Sequence, residues 1–423
     1  MVYEAGVSRL ALTGSAGLAF AEPELFMGND SPVTLARLAM ATRFEIVLHG
    51  PNPVSLRAAG EEALTEIERW EDQLSLYRPT SEIAHLNARA GREWVRVSPA
   101  VFQLLRRAQH LSEESGGAFD ITVGPLIRCW GFMGASGSMP DPAAVAEARA
   151  KVGMHLVQFN EAESSIHFAR DGVMLDLGAI GKGHAIECAA ELLREAGVSS
   201  ALIHGGTSSV QAIGHPPDSD AWNVAIEYPD ERKRGAPTTL PLHVRNERGE
   251  GRGEGRLIAN EPAQPQSNRP SSPLPSPPAA GGEGEASGAL DTSSRHTRPA
   301  LLAVVPLRDE AMSVSAVWGK SFQSEGRTLG HVLDPRTGQP ALGAWLAAVV
   351  LPSATETDAL STALLALGLG GHGQITGLRR GMKSLVLGRA SNEMDCRILT
   401  NGITLEQKPL SAGGRPITAE KEN

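Results

Sequence analysis

The chain alternates between two hydrophobic patterns, one with the two-residue period of strands and one with the period of helices. In "MATRFEIVLHG", the apolar residues Phe44, Ile46 and Leu48 alternate with polar neighbours, which predicts a half-buried strand. The ordered part is therefore expected to begin near Leu38. Residues 56–74 then repeat apolar side chains at steps of three and four, which predicts an amphipathic helix.

The rest of the pattern predicts an α+β protein. A second helix is expected from Ser98, a good N-cap before Pro99, to about Ser115. The stretch "VMLDLG" predicts a strand that leads through a glycine-rich turn into a helix over residues 184–197. Seven further stretches predict strands: "ALIHGG", "SVQAIG", "WNVAIEY", "LLAVVPL", "AMSVSAV", "GHVLDP" and "WLAAVVL". The helix "TDALSTALLALG" follows them, so we expect mixed and antiparallel sheets with flanking helices.

A composition change divides the chain. Residues 231–300 hold 10 prolines and 9 glycines in 70 positions and no Phe, Trp or Tyr, which predicts a disordered insertion in a surface loop. The alternative is an interaction tail. We therefore expect a disordered leader over 1–37, one domain built from 38–230 and 301–390, and a C-terminal extension over 391–423.

Charge and composition exclude several classes of protein. A net charge of −9 and 4% aromatic residues argue against a nucleic-acid partner, which would need a basic surface or stacking platforms. The three cysteines form no CxxC pair, so neither a disulfide framework nor a cysteine zinc site is indicated. No run of about 18 apolar residues is present, so no transmembrane segment is predicted.

The N-terminus is compatible with two interpretations. In "RLALTGSAGLAFAEPE", a short apolar run follows Arg9 and ends in Ala19-Phe20-Ala21, which fits the cleavage site of an export signal. Gly and Ser dilute the run, and Glu4 balances the charge of Arg9, which favours a disordered leader. Export therefore remains open, with a soluble cytoplasmic protein the favoured expectation.

An acidic residue and a hydroxyl residue lie together in the apolar helix "TDALSTALLALG". Asp358 and Thr362 are four residues apart and therefore lie on one side of the helix. They offer two hard oxygens of the kind that Mg²⁺ prefers. The alternative is structural: an acidic residue favoured by the helix dipole and a threonine bonded back to a carbonyl.

The stretch "DLGAIGKGHA" has the composition of a phosphate-binding turn. Its three glycines allow a ligand to approach the backbone, the helix that follows offers N–H groups to an anion, and Lys182 adds positive charge. It matches neither the dinucleotide-binding fingerprint nor the P-loop. A plain strand–turn–helix junction is the alternative.

Two other loops carry candidate chemistry. In "GGAFDITVGPLIRCWGF", Asp120 and Thr122 offer oxygens while Trp130 and Phe132 could border an aromatic ring system; the alternative is a well-packed loop. In "GHVLDPRTGQP", His331 could remove a proton from an incoming hydroxyl. A structural histidine is the alternative there.

Taken in order, seven motifs resemble those of the FAD:protein FMN transferases, the ApbE family. They are "MATRFEIVL", "LYRPTSEIAHLN", "GGAFDITVGPLIRCWGF", "LDLGAIGKGHA", "HGGTSSV", "GHVLDPRTGQP" and "TDALSTALLALG". The resemblance covers residues 38–390 without 231–300 and implies a T-fold-like architecture in a single chain. It also implies a Mg²⁺-dependent enzyme that cleaves FAD, attaches FMN to a Ser or Thr hydroxyl of an acceptor protein and releases AMP.

The same resemblance assigns residues to roles. Asp358, Thr362 and the carbonyl of Ala179 would bind Mg²⁺, and His331 would be the base or would position the acceptor hydroxyl. The residues implied to contact FAD are Met40, Tyr77, Ala118, Phe119, Asp120, Asp176 and Lys182. An FAD pyrophosphatase that gives FMN and AMP, and a non-catalytic flavin-binding protein, are the alternative functions.

Four positions depart from the family pattern. The chain has Ala41 where glycine is common, Glu187 where aspartate is common, and Thr207 where an acidic or amide residue is usual. Gly330 stands where many members have a second histidine. None of these removes an expected metal ligand, so they predict an altered acceptor choice or slow turnover rather than the loss of the site.

Overall fold

A nine-stranded sheet with helices on one face organises the protein. The computed structural model describes residues 31–134, 137–227, 301–324, 327–389, 396–406 and 418–421. Its helices are α1 (Pro53–Leu74), α2 (Glu82–Arg89), α3 (Pro99–Glu114), α4 (Gly124–Cys129), α5 (Pro142–Arg149), α6 (Gly181–Glu195), α7 (Ala354–Leu367) and α8 (His372–Thr376). Short 3-10 turns occupy Met154–Leu156 and Leu369–Gly371.

The strands fall on both sides of the chain segment 228–300. The first eight are β1 (Val33–Ala39), β2 (Thr42–Leu48), β3 (Val95–Arg96), β4 (Val157–Asn160), β5 (Ser165–Phe168), β6 (Ala201–Gly205), β7 (Ser209–Ile213) and β8 (Trp222–Glu227). The next five are β9 (Leu301–Leu307), β10 (Ala311–Ala316), β11 (Ser321–Ser324), β12 (Arg327–Gly330) and β13 (Leu333–Asp334). The last five are β14 (Gln339–Pro340), β15 (Ala344–Leu351), β16 (Lys383–Arg389), β17 (Cys396–Asn401) and β18 (Thr418–Lys421).

Most strand pairs are antiparallel. The large sheet has the order β1-β2-β6-β7-β10-β15-β16-β17-β18, and only the pair β17–β18 is parallel. Smaller sheets are β3-β5-β4 and the pairs β8–β9, β11–β12 and β13–β14. This arrangement confirms the predicted α+β class with flanking helices.

The large sheet separates two hydrophobic clusters because its side chains alternate between its faces. In β16, Val386 belongs to the cluster beneath the helices, whereas Leu385 and Leu387 belong to the cluster under β8 and β9. Helices α1, α3, α6 and α7 supply buried residues to the first cluster. The sheet is therefore covered by helices on one face and by the β8–β9 pair on the other.

The strongly periodic helices form as predicted. Helix α1 begins after Asn52, whose side chain accepts hydrogen bonds from the first turn, and α3 begins after the predicted N-cap Ser98. Helix α7 begins at Ala354, three residues before the predicted start, because Ser353 caps it by accepting from the Glu356 N–H.

The predicted strand "VMLDLG" is wrong. Residues 173–178 form a single isolated bridge, between Val123 and Met174, and no named strand. The side chain of Asn87 bonds both the N–H and the carbonyl of Leu175, at 2.7 and 2.9 Å, and so replaces a neighbouring strand. The backbone groups of Leu175 thus find their partners in an amide side chain, which the hydrophobic pattern does not show.

Two strands of the large sheet extend beyond the predicted ends of the domain. Strand β1 begins at Val33 rather than near Leu38, and Val33 and Leu35 are buried in the core. Part of the predicted extension 391–423 belongs to the large sheet, because β17 pairs along its length with β16. The rest of the predicted leader, residues 1–30, lies outside the described residues.

The predicted insertion 231–300 also lies outside the described residues. The strands on either side of it, β8 and β9, pair antiparallel up to Glu227 and Leu301. Within the described part of the chain, no helix is long and apolar enough to cross a membrane.

Candidate functional site

The carboxylate of Asp358 lies against the first turn of α6. Its Oδ2 accepts a hydrogen bond from the Gly183 N–H at 3.0 Å, and its Oδ1 lies 3.5 Å from the hydroxyl of Ser209. Asp358 is 4% exposed, and none of the described cationic side chains forms an ion pair with it. A buried carboxylate without a cation is costly, which makes this position a candidate for binding one.

A close helix crossing holds Asp358 in this place. A Cβ atom on Gly183 would lie 2.2 Å from the Ala354 carbonyl oxygen and 2.7 Å from the Asp358 Cβ. Only glycine therefore lets α6 and α7 approach so closely. Gly183, which lies in the predicted ligand-binding turn, therefore has this packing role as well.

A group of hydroxyls also lies beside the Asp358 backbone, between α7 and the sheet. The Oγ of Ser315 lies 2.9 Å from the Oγ of Ser361 and 3.1 Å from the Oγ1 of Thr362. Thr362 also donates to the Asp358 carbonyl at 3.1 Å. This is the back-bonded threonine that was the structural alternative to a metal ligand. Each hydroxyl oxygen keeps a further acceptor position, so these bonds do not prevent Thr362 from binding a cation.

The donor set fits a hard cation better than a transition metal. Among the described residues, no three His, Cys, Asp or Glu side chains converge on a common point. What Asp358 and its neighbours offer is one carboxylate and several hydroxyl oxygens. Mg²⁺ binds in this way, with few protein ligands and with waters and phosphates completing its coordination.

The predicted FAD contacts Asp176, Lys182 and Tyr77 lie near one another. Burial raises the pKa of Asp176. This effect outweighs the hydrogen bond from the Gly178 N–H at 2.8 Å and the positive charge of Lys182, which both act to lower the pKa. The pKa of Tyr77 is also raised, by partial burial and by the charge of Asp176. Lys182 is the neighbour of Gly183 in α6, and the Gly183 N–H is the group that bonds the Asp358 carboxylate.

His331 lies close to the same lysine. Burial lowers its pKa, and the positive charges of Lys182 and Lys320 lower it further. Its Nδ1 is buried and has no hydrogen-bond partner among the described residues. The imidazole is therefore neutral at pH 7 and has a free ring nitrogen, as a proton acceptor requires.

The second histidine near this turn has a different environment. Burial lowers the pKa of His184 to about 4, and its ring packs edge-on against Trp70 with centroids 4.3 Å apart. Its Nε2 lies 3.7 Å from the Cys188 sulfur and its Nδ1 lies 3.4 Å from the Thr355 hydroxyl. His184 is therefore a structural core residue, unlike His331.

The predicted contacts Ala118, Phe119 and Asp120 are buried, at 1%, 1% and 7% exposure. The Asp120 carboxylate accepts from the Thr122 hydroxyl at 2.6 Å and from the Met154 N–H at 3.0 Å, and burial raises its pKa. It is thus engaged within the protein and holds the loop together. The prediction that this segment contacts FAD stays a prediction.

Met40 and Ala41 form the turn between β1 and β2. Both have left-handed backbone conformations, with φ of 48° and 57°. Glycine would adopt this conformation without strain, so Ala41 introduces strain at a position where the family commonly has glycine. Met40 is half-buried and packs against the main core.

An ion-pair network fixes the start of the helix that carries Asp358. Glu187 of α6 accepts from Arg107 of α3 at 2.6 Å and from the Thr355 N–H of α7 at 2.9 Å. Arg107 also donates to the Ser353 hydroxyl, the N-cap of α7, at 2.6 Å. A carboxylate at a helix N-terminus is favourable, so Glu187 joins three helices.

Arg379 joins the other side of α7 to α3. Its guanidinium bonds both carboxylate oxygens of Glu114, at 2.9 and 2.7 Å, and it bonds Glu356 at 2.9 Å. The hydrogen bond from Arg379 is the main reason that the pKa of Glu114 is lowered. All three side chains are mostly buried, between 20% and 24% exposed.

We expect Arg379→Gln to lower the free energy of unfolding by about 2 kcal/mol at pH 7. Because the pKa of folded Glu114 is lowered, its contribution is present above the unfolded pKa of about 4.5 and is lost as the pH falls through the folded value. The difference between wild type and variant should therefore shrink below about pH 4. Urea unfolding between pH 3 and 7 measures it.

Arg78→Gln is the matched control for this change. Arg78 forms ion pairs with Glu71 and Asp72 but is 45% exposed, so its loss should cost less than about 1 kcal/mol. Equal losses for the two variants would show that Arg379 contributes no more than a surface charge.

Comparison with known proteins agrees with this arrangement of motifs. A family model described as the ApbE family matches residues 40–246 and 280–382. A protein of Treponema pallidum named FAD:protein FMN transferase is 28% identical over 340 residues, covering 79% of this chain and 78% of that protein. A Klebsiella pneumoniae protein of the same name is 34% identical over 194 residues, covering 44% of this chain and 58% of its own.

Solved structures show the same fold. The ApbE protein of Thermotoga maritima is 22% identical, with a TM-score of 0.63, and the match covers 89% of this chain and 97% of that one. The apo flavinyl transferase ApbE of Pseudomonas stutzeri is 23% identical, with a TM-score of 0.62 over 88% of this chain and 94% of its own. At this identity the likeness concerns the fold alone.

Proposed function

This chain belongs to the ApbE family, and we propose on that basis that it is an FAD:protein FMN transferase. It cleaves the diphosphate of FAD, transfers FMN to a Ser or Thr hydroxyl of an acceptor protein and releases AMP. The name shared by its relatives from Treponema pallidum and Klebsiella pneumoniae supports the activity. The nature of the acceptor rests on the resemblance of the motifs.

One observation carries the proposal. The Asp358 carboxylate lies 3.0 Å from the Gly183 N–H, in the turn of α6 that also bears Lys182. A carboxylate suited to a cation therefore bonds the residue next to a lysine suited to a phosphate, which supports the proposal. Phosphoryl transfer needs this combination of positioning and positive charge more than it needs covalent catalysis.

Asp358, Thr362 and the Ala179 carbonyl would hold Mg²⁺. Asp358 supplies the negative charge, and its neighbouring hydroxyls supply neutral oxygens. Bound there, the ion would neutralise charge on the diphosphate as it develops. The protein contributes the placement of its oxygens, which the crossing of α6 and α7 fixes.

The remaining residues bind FAD or accept a proton. Lys182 offers an ammonium group to the diphosphate, and Tyr77 is 67% exposed beside Asp176, where it can contact the flavin. Neutral His331 accepts the proton of the acceptor hydroxyl. The hydroxyl oxygen bonds to the phosphorus of the FMN half, the bond to the bridging oxygen breaks, and AMP leaves with the electron pair.

We also propose that residues 38–230 and 301–390 supply the catalytic domain, with 231–300 as an insertion. The antiparallel pairing of β8 with β9 supports this, since it joins the two parts directly. The described structure adds β1 and β17 to the ends of the predicted domain.

A labelling experiment tests the activity. The full chain is incubated with FAD, Mg²⁺ and a panel of Ser- and Thr-containing peptides, with the same panel carrying alanine at those positions as control. We expect AMP to form together with a peptide heavier by one FMN unit, in the hydroxyl panel only. AMP with free FMN in both panels would indicate a pyrophosphatase, and bound FAD without AMP would indicate a flavin-binding protein.

A further inference from the structure

Lys320 lies opposite His331 at the base of the β11–β12 hairpin. The hairpin pairs Ser321 with Gly330, and the His331 N–H extends this register by donating to the Lys320 carbonyl at 3.0 Å. Residues opposite each other in an antiparallel pair project their side chains to the same face. The side chains of Lys320 and His331 therefore leave the backbone on the same side.

The ammonium group of Lys320 is anchored but not neutralised. Its Nζ donates to the Phe132 carbonyl at 3.1 Å, and none of the described carboxylates comes within ion-pair distance of it. Lys182 has the same environment: its Nζ donates to the Gly178 carbonyl at 3.0 Å and forms no ion pair with the described residues. A lysine ammonium has three donors, so both groups keep hydrogen-bonding capacity.

Contacts with neighbouring carbonyls place Lys320 near the residues around Lys182. Lys320 bonds the Phe132 carbonyl, and the next carbonyl, of Met133, accepts a hydrogen bond from the Tyr77 hydroxyl at 3.3 Å. The charge of Asp176 in turn raises the pKa of Tyr77.

Both Lys182 and Lys320 influence the titration of His331, and both influence that of Asp176. Two ammonium groups thus lie near one carboxylate and one neutral imidazole whose buried Nδ1 has no partner. This surplus of positive charge matches an anion with more than one negative charge.

We propose that Lys320 is a second phosphate-binding residue, which together with Lys182 holds the diphosphate of FAD beside His331. This inference rests on the proposed function and adds a residue to the site. Lys320 forms no bond to the substrate's phosphorus and exchanges no proton. It places a fixed positive charge where negative charge collects on the phosphoryl oxygens during transfer.

Binding of FAD and riboflavin distinguishes a phosphate contact from a structural role. Both flavins are titrated by fluorescence in EDTA, so that metal-dependent turnover does not occur, against wild type, Lys320→Met and Lys320→Arg. We expect Lys320→Met to weaken FAD binding about tenfold, the loss of one charge-assisted hydrogen bond, and to leave riboflavin within about twofold. Lys320→Arg, which keeps the charge, should retain FAD binding within about threefold.

Lys151→Met is the control for losing a lysine elsewhere. Lys151 pairs with Glu147 at 2.7 Å outside the site, so both flavins should bind to this variant as to wild type. Equal weakening of FAD and riboflavin in Lys320→Met, or no weakening of either, would overturn the inference alone. A wild-type protein that binds riboflavin but prefers it to FAD would overturn the proposed function as well.

The pH dependence of activity gives a second test. Among the described residues, the charges of Lys182 and Lys320 lower the pKa of His331, so removing one of them raises the pKa of the imidazole. In Lys320→Met, the acid limb of the kcat/KM profile should move to higher pH, while Lys320→Arg and Lys151→Met should keep the wild-type limb. A lysine that only supports the fold would leave the limb in place.

Discussion

Asp358→Asn is expected to reduce Mg²⁺-dependent FAD cleavage about a hundredfold or more while the fold is retained. Asparagine has the shape of aspartate and can accept the same hydrogen bond from Gly183. The change therefore removes the charge that binds the cation and little else. Release of AMP at saturating FAD measures the effect.

The Asp358→Asn substitution should affect the melting temperature differently in the absence and in the presence of Mg²⁺. Without metal, Asp358 is a buried carboxylate that has no cation among the described residues, so removing its charge should leave the melting temperature unchanged or raise it. With Mg²⁺, wild type should gain stability through binding and the variant should not. This readout does not depend on turnover or on knowing the acceptor.

Asp309→Asn is the matched control. Asp309 also accepts one backbone hydrogen bond, from the Gly214 N–H at 2.8 Å, but it is exposed in the turn between β9 and β10. Its φ of 55° is one that asparagine adopts readily. This variant should keep both activity and the Mg²⁺ effect, and an Asp358→Asn variant that behaved likewise would remove Asp358 from the metal site.

The elements with a strong internal pattern could be predicted from the sequence, and those satisfied by distant groups could not. Helix α1 repeats its apolar residues over six turns, and its position follows from that period alone. The segment 173–178 is as apolar as a strand, yet the N–H and carbonyl of its Leu175 bond the side chain of Asn87. Nothing within the segment distinguishes these two outcomes.

The same limit applies to the site. Asp358, Lys182 and His331 lie in recognisable motifs, from which their roles could be proposed without the structure. Lys320 lies in the unremarkable stretch "AVWGKSF" and is brought to His331 only by the register of the β11–β12 hairpin. A single lysine carries no local sequence signal of that kind, so the position of Lys320 beside His331 could be found only from the structure.

Two departures from the family pattern now have physical explanations. Glu187, where aspartate is common, bonds Arg107 and the N-terminus of α7. Gly330, where many members have a second histidine, lies so close to the Val317 carbonyl that a Cβ would be 2.5 Å from its oxygen. A side chain at position 330 would therefore require the neighbouring loop to move, which links this glycine to the backbone around Lys320.

Gly183→Ala is the second change for which we expect a large effect. The added methyl group would meet the Ala354 carbonyl oxygen at 2.2 Å and the Asp358 Cβ at 2.7 Å, so α6 and α7 must move apart. Overpacking of this kind costs about 3 kcal/mol, or a melting temperature roughly 10 °C lower. The movement also separates Asp358 from Lys182, so FAD cleavage should fall about a hundredfold.

Gly181→Ala separates the clash from the loss of a helical glycine. A Cβ at this position, two residues earlier in α6, would meet the Leu74 Cδ1 at 3.7 Å and the Leu177 Cβ at 3.9 Å, which are ordinary contacts. Because Gly181 is the first residue of α6, the interior helix propensity of alanine has little weight there, so this variant should unfold close to the wild-type temperature. If Gly183→Ala were as stable and Mg²⁺ still raised its melting temperature, the close crossing of α6 and α7 could not be what positions the metal ligand. A loss confined to Gly183→Ala would instead mean that one missing methyl group fixes both the packing of the two helices and the place of the carboxylate.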